Sequence, residues 1–287
     1  GTLYEQHEVE FLPQPIEDAI DQLIIAKWIV RMLGEKAGVT ISYAPKITIG
    51  KAGSGLHFHM MAVCDNTNLM VGESGLSDLA QKMIAGLLDC SGPLTAFGNT
   101  IPTSYLRLVP HQEAPTNVCW GDRNRSVVVR VPLGWIGGNT MIQTANPEFP
   151  PDVPERMSKQ TIEFRIPDGS ADVYNLGAGL VVACLHGIRM PGALEKAREL
   201  YVDGNIFDEK NREKLRSLKQ LPGSCVESAE ALLEKRAIFE KEGIFPASVI
   251  DSIARRLTEY KDRGMSERIY GKEDEIMTIV NEYIHIR

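Results

Sequence analysis

In the stretch QTIEFRIPD, residues 160–168, side chains change character at every step from Thr161 to Ile166. Ile162, Phe164 and Ile166 are apolar, while Glu163 and Arg165 between them carry opposite charges. Period two marks a β-strand, whose successive side chains point to opposite faces. One face can enter a hydrophobic core while the other presents a carboxylate and a guanidinium side by side. The same mixture of β-formers and chemistry-bearing residues recurs. In KAGSGLHFHMM, residues 51–61, a strand puts His57 and His59 on one face behind a run of small residues. TSYLRLVP carries Arg107 and RSVVVRVP carries Arg130, and each run is closed by a proline, which favours strand ends. LYEQHEVEFL, residues 3–12, reads as an acidic strand with Glu8 and Glu10 on one parity, and TISYAPKITIG as strand and turn.

Helices intervene without regular alternation. Ala19, Leu23, Ala26, Val30, Leu33 and Ala37 follow helical spacing after Pro15, and Gly38 stops the run. LSDLAQKMIAGLLDC predicts a helix started by Ser77 or Asp78. Val173, Leu176, Gly177, Leu180, Val181, Cys184 and Ile188 form one apolar stripe. After Pro191 the chain turns to Lys and Glu. SCVE at 224–227 is a capping box, and Pro246 suits a first helical turn. The expected class is α+β: a curved antiparallel sheet with packed helices, not a Rossmann wrap. The sheet-forming part spans residues 1–191 and the helical part 192–287 of one domain. Residues 133–158, rich in Gly and Pro, predict a long mobile or functional connection.

Net charge is −7, which argues against a broad grip on nucleic acid. The five cysteines are scattered with no CxxC, which suits a reduced, cytoplasmic compartment. The longest apolar run, LGAGLVVACLHGI, is too short to span a membrane and predicts a buried helix. The chain begins GTLYEQHEVEF with no methionine, so it is expected to be a piece of a longer protein.

Any one charge on a strand ordinarily faces water. Together, Glu8, His57, His59, Arg107, Arg130, Glu163 and Arg165 make a different inventory. Carboxylates with imidazole and no thiolate suit Mg²⁺ or Mn²⁺, and the imidazole leans toward Mn²⁺. Guanidinium forks suit carboxylate and phosphate. Divalent metal with several arginines is the equipment of phosphoryl transfer. The glycine loops of common nucleotide sites are missing: no GxxxxGK[ST] occurs, and GSGLHF has Phe58 where GxGxxG needs glycine. In GDRNRSVVVRVP, strict alternation would put Arg125 and Arg130 on opposite faces. Either a bulge intervenes or Arg125 lies in the loop before the strand.

GSGLHFH, YLRLVPHQEAPTNVCWGDRNRSVVVRVP and IEFRIPDGSADVYNLGAGLVVACLHGI resemble, in order, the motifs of the glutamine synthetase family, and QHEV resembles its QNEV segment. The resemblance covers most of the chain and is weakest in the helical tail. It implies the family's catalytic fold, of the glutamine synthetase/guanido kinase type. It implies a ligase that joins ammonia to glutamate through γ-glutamyl phosphate, with ATP as co-substrate. Motif by motif, Glu8 would bind one metal, and His57 and Glu163 a second. His59 and Arg130 would meet ATP. Gly53, Arg107 and Arg165 would hold glutamate. Glu113 would close over glutamate and take a proton from ammonium, and Arg125 would steady the phosphoryl group in transfer. The family's N-terminal β-grasp domain would precede Gly1. It completes the active site of the neighbouring subunit in rings, so the isolated chain is expected to be inactive. The other readings are a γ-glutamylpolyamine synthetase-like ligase and a non-catalytic relative. Ala52 stands where the family favours asparagine, Met61 where it favours serine, and Phe207 lacks the hydroxyl that some bacterial members modify.

Overall fold

The computed structural model describes residues 3–73, 75–110, 112, 114–134, 148, 159–241 and 243–285. Helix α1 (Ile16–Lys36) starts behind Pro15 and ends at Gly38, whose φ of 71° suits a residue without a Cβ. Strand β1 (Phe58–Met60) follows an irregular stretch. Two small hairpins come next, β2 (Val63–Cys64) with β3 (Thr67–Asn68) and β4 (Val71–Gly72) with β5 (Gly75–Leu76). Helices α2 (Asp78–Asp89), α3 (Ser91–Gly98) and α4 (Ser104–Arg107) precede β6 (Trp120–Asp122), β7 (Val129–Val131) and β8 (Ile162–Phe164). Helix α5 (Val173–Arg189) leads to α6 (Ala193–Glu199), α7 (Arg212–Ser217), α8 (Cys225–Glu234), α9 (Arg236–Glu240), α10 (Ala247–Thr258), α11 (Met265–Arg268) and α12 (Glu273–Tyr283).

The main sheet has the order β1-β8-β7-β6. Two of its pairings are antiparallel, as expected, but β6 and β7 run parallel. The strands are three residues long, about 10 Å, so the short loop between them is enough to carry the chain back alongside itself. Register decides the rest. Phe58, Phe164 and Val129 stand in one cross-strand row, and His59, Glu163 and Arg130 in the next. The apolar row joins a core with Ile162, Ile84, Leu87, Phe97, Leu176 and Leu180. That core continues into Leu232, Phe239, Phe245, Ile250 and Leu257 of the helical part.

Caps behave as the sequence predicts. Ser77 Oγ accepts from Ala80 N at 3.1 Å, and Ser224 Oγ accepts from Glu227 N at 3.1 Å. The reciprocal bond of the box goes one residue further out, from Gly223 N to Glu227 Oε2 at 2.7 Å. Pro246 is the residue before α10 rather than within it. The α5 stripe is buried except at Ile188, which is half-buried, and Val181, which is 38% exposed. On α1, Leu33 leaves the expected stripe for the surface and Ile20 and Gly34 replace it as buried positions.

Three expected strands are absent. TSYLRLVP forms the single turn α4, because Tyr105 and Arg107 have partners that a strand would not reach: Tyr105 donates to Asn99 O at 3.0 Å, and Arg107 to Ile166 O at 2.7 Å. Residues 3–12 are exposed and irregular, and so are 40–50 in backbone form. A strand needs a neighbour for its row of N–H and C=O groups, and among the described residues neither segment is paired in a ladder. Residues 133–158 lie mostly outside the described residues. No single helix among the described residues is long and apolar enough to cross a membrane.

Asp89, at the end of α2, ties the helical layers together. Its Oδ1 meets Lys196 of α6, and its Oδ2 lies 2.8 Å from Lys235 Nζ and 3.0 Å from His186 Nε2 of α5. With Cys90 these residues have the closeness of a three-ligand metal site. Burial pushes the Cys90 thiol up to about 12, which keeps it in its protonated, poorly ligating form, so the cluster is a charge network around Asp89. Burial works against the Asp89 charge, but both lysines outweigh it and hold its carboxyl well below the usual range. A depressed folded pKa stabilises the fold above the unfolded value of about 4, and the gain is lost as pH falls below it. Asp89→Asn should cost about 1–3 kcal/mol at neutral pH, discounted for the partial exposure of the lysines. It should also flatten the acid limb of a urea-midpoint-versus-pH profile.

Candidate active site

Glu163 is the centre of the polar row. It is 1% exposed on the middle strand β8, and four groups converge on it. Arg165 Nη1 donates to Oε1 at 2.6 Å, His57 Nδ1 lies 3.1 Å from the same oxygen, and His59 Nε2 lies 3.9 Å from it. Oε2 lies against Arg130 Nε and is buried without a hydrogen-bond partner. Each position follows from strand period. Residue 163 is on β8 with 165 just past its end, 59 is on β1 with 57 just before its start, so each pair keeps the strand's parity, and 130 is the register partner of 163 on β7. His59 Nδ1 is 3.1 Å from Thr161 Oγ1, which leaves Nε2 turned toward Glu163.

Burial alone would raise the Glu163 pKa. The bond with His57 and the charges of Arg165 and Arg130 overcome it and hold the carboxyl at about 2. His57 is pushed down, chiefly by burial, so its neutral, ligating form is favoured. Arg107 is 3% exposed and bonds carbonyls rather than acids: Ile166 O at 2.7 Å and Arg165 O at 3.2 Å. Burial brings its pKa down to about 10, partly offset by Asp168.

The glycine loop sits on these groups. A Cβ on Gly53 would lie 2.8 Å from Arg107 Cγ, and one on Gly55 would lie 2.6 Å from His57 Nε2. The small residues therefore have a reason inside the chain itself: they let the loop lie flat on Arg107 and His57. Arg125 lies in the loop before β7, the second of the two arrangements left open by the sequence, and is exposed. Asn124 holds that loop by accepting from Ser126 N at 2.9 Å and Ser126 Oγ at 2.7 Å. The charge of Arg125 reaches Arg165.

His57, His59, Arg130, Glu163 and Arg165 are thus brought together, with Gly53 and Arg107 behind them and Arg125 at the rim. Glu8 is not brought in. It is exposed, and no described hydrogen bond or ion pair joins it to His57 or Glu163. Its segment touches the site through Gln6, whose Nε2 donates to Ser54 Oγ at 3.0 Å. Glu113 lies outside the described residues. Sequence reading passed over two buried groups. Lys46, 5% exposed, has as its signal a lysine set among Ala44, Pro45 and Ile47. Asp168, 0% exposed, is held by Asn99 Nδ2 at 2.8 Å and follows the RIP of β8.

Two neighbouring ligands of an octahedral ion with bonds of about 2.1 Å lie about 3.0 Å apart. His57 Nδ1 and Glu163 Oε1 match that spacing, and Oε2 is a buried acceptor with no hydrogen bond. The pair fits one divalent cation. Arg107, Arg125, Arg130 and Arg165 outnumber the nearby carboxylates, which makes the wall attractive to anions.

The family model described as glutamine synthetase, catalytic domain, matches residues 3–266. Glutamine synthetase of Thermococcus kodakarensis is 33% identical over 257 residues, covering 89% of this chain and 52% of that protein. The enzyme of Pyrococcus abyssi is 34% identical over 241 residues, covering 83% of this chain and 49% of that protein. The cryo-EM structure of Plasmodium falciparum glutamine synthetase shares the fold, with a TM-score of 0.66 at 21% identity, covering 90% of this chain and 52% of that one. The chain spans about half the length of the curated relatives it matches. With its match running through nearly all of the sheet and most of the helices, the chain belongs to the glutamine synthetase family, by its catalytic domain.

Proposed function

We propose that this chain supplies the metal, nucleotide and glutamate wall of an ATP-dependent glutamate–ammonia ligase. The observation that carries the reading is the convergence of two imidazoles and two guanidiniums on the one buried carboxylate of Glu163. His57 and Glu163 would hold a divalent cation, Mg²⁺ or Mn²⁺, which supplies charge neutralisation at phosphate oxygens. Arg130 and His59, at the open side of the row, would take the phosphates of ATP. Arg165 and Arg107, with the Gly53 loop, would orient glutamate. Its γ-carboxylate oxygen attacks the γ-phosphorus, the bond to ADP breaks, and γ-glutamyl phosphate forms. Arg125 would stabilise the charge on the phosphoryl group in transfer. Ammonia then displaces phosphate, and Glu113 is assigned the proton that ammonium must lose first. Glu8 would join a metal only with its segment moved from its exposed course.

The whole protein is proposed to be a ring-forming oligomer with sites between subunits, in which an N-terminal domain beyond this chain completes the pocket. The chain alone is then inactive. Its five cysteines carry no disulfide, in keeping with a reduced cytoplasmic setting. The test joins the chain to the upstream half of a relative and measures phosphate release. Release that needs glutamate and ammonium supports the reading. Release only with a diamine assigns the chain to γ-glutamylpolyamine synthesis, and no release with any amine assigns it to a non-catalytic relative. On the chain itself, His57→Ala should weaken Mn²⁺ binding by at least the 10–100-fold typical of disturbing an outer-shell partner. Unchanged binding in a calorimetric titration would remove His57 from the metal.

A further inference from the structure

Lys46 is a buried ammonium for which the reading above has no use. It pairs with no carboxylate among the described residues. Burying such a charge is unfavourable unless its donors are spent on strong acceptors. Its Nζ donates to Lys51 O and, at 2.7 Å, to Gln112 Oε1. The residue before it, Pro45, accepts from Ser54 N at 3.0 Å. Residues 45 and 46 therefore hold the backbone at Lys51 and Ser54 and the side chain of Gln112 together. Leu108 before Gln112 and Ala114 after it are buried. Burial lowers the Lys46 pKa, which agrees with its depth.

We propose that Lys46 is a positioning residue that clips the segment bearing Gln112 to the Gly53–Gly55 loop, setting the distance between them. The proposal rests on the functional reading above, in which that loop holds glutamate and residue 113 serves the ammonium. An ammonium is suited to this task because its rotatable donors can serve two segments at once. Gln112 fits as the partner because its amide oxygen accepts from the ammonium while another donor stays on the Lys51 carbonyl.

The clip is tested on the chain itself by a double-mutant cycle. Gln112→Ala should lower the folding equilibrium constant about 10-fold in the parent background, the usual effect of losing one bond to a charged group, and hardly at all in a Lys46→Met background. Gln112→Glu should recover at least the parent value, since the ammonium then meets a carboxylate. Additive single changes, or no recovery with Gln112→Glu, would overturn the clip. Gln112 is only partly buried, so its variants fold even if Lys46→Met does not; amide exchange of the Lys51–Leu56 peptide in Gln112→Ala then gives the answer, faster exchange supporting the clip and unchanged exchange refuting it. In the joined enzyme, Gln112→Ala should raise the KM for glutamate about 10-fold more than it lowers kcat. Folding and exchange read the clip without any turnover, so a failure of the ligase reading and a failure of the clip show up in different measurements.

Discussion

Gly187→Ala is expected to destabilise the chain by on the order of 3 kcal/mol or more, enough to remove cooperative unfolding at moderate temperature. Helices α2 and α5 meet backbone to backbone at Gly86 and Gly187. A Cβ on Gly187 would lie 2.6 Å from Gly86 N and 2.7 Å from Gly86 Cα, and nearer still to Lys82 O. Those atoms belong to a helix ladder and have no rotamer to change, so the helices would have to separate. Separation would open the core where Ile84 and Leu87 meet Leu180. Alanine is the better helix former by about 1 kcal/mol, so propensity predicts the opposite sign. Gly92→Ala in α3 is the control: its Cβ would meet the Ala231 methyl at 3.3 Å and Pro222 Cγ at 4.0 Å, side-chain atoms rather than helix backbone, and its effect should be much smaller, within about 1 kcal/mol of zero. Comparable losses from both in urea unfolding would show that close helix approach is not what Gly187 provides.

The same close approach explains what the sequence could and could not say. Alternation in QTIEFRIPD is local, so the two faces of β8 were legible, and with them the neighbourhood of Glu163 and Arg165. The caps at Ser77 and Ser224 are equally local. The assignment of TSYLRLVP failed because the partners of Tyr105 and Arg107 come from 6 and 59 residues away, and such contacts override β-propensity. The parallel pairing of β6 and β7 failed for a related reason, since three-residue strands carry too little pattern to fix direction. Lys46 went unread because apolar neighbours in APKI are a weak signal by themselves; its burial depends on Gln112, 66 residues on. Placing Glu8 in the site came from resemblance to QNEV; in the structure Glu8 is exposed, and its segment meets the glycine loop through Gln6.

Glu163 itself supplies the second large effect. Glu163→Ala should destabilise the chain by about 3–5 kcal/mol, the usual result of removing one partner from a buried charge cluster. The loss comes less from the vanished contacts than from what remains: Arg165, 4% exposed, and Arg130 beside it would face each other with no carboxylate between them. Glu163→Gln should cost less, about 1–3 kcal/mol, because its oxygen can still accept from Arg165 while its amide nitrogen opposes a guanidinium or His57. Both should abolish Mn²⁺ binding measured by calorimetry, since a cation held by His57 alone has lost its only buried anionic ligand among the described residues. Stability and binding are separated by Glu163→Ala with Arg165→Met. Removing the stranded guanidinium should restore part of the lost stability but none of the Mn²⁺ affinity. If the double change is no more stable than the sum of the two single losses, Glu163 and Arg165 are not energetically coupled. The buried carboxylate would then need another explanation for its depressed pKa than the arginines that surround it.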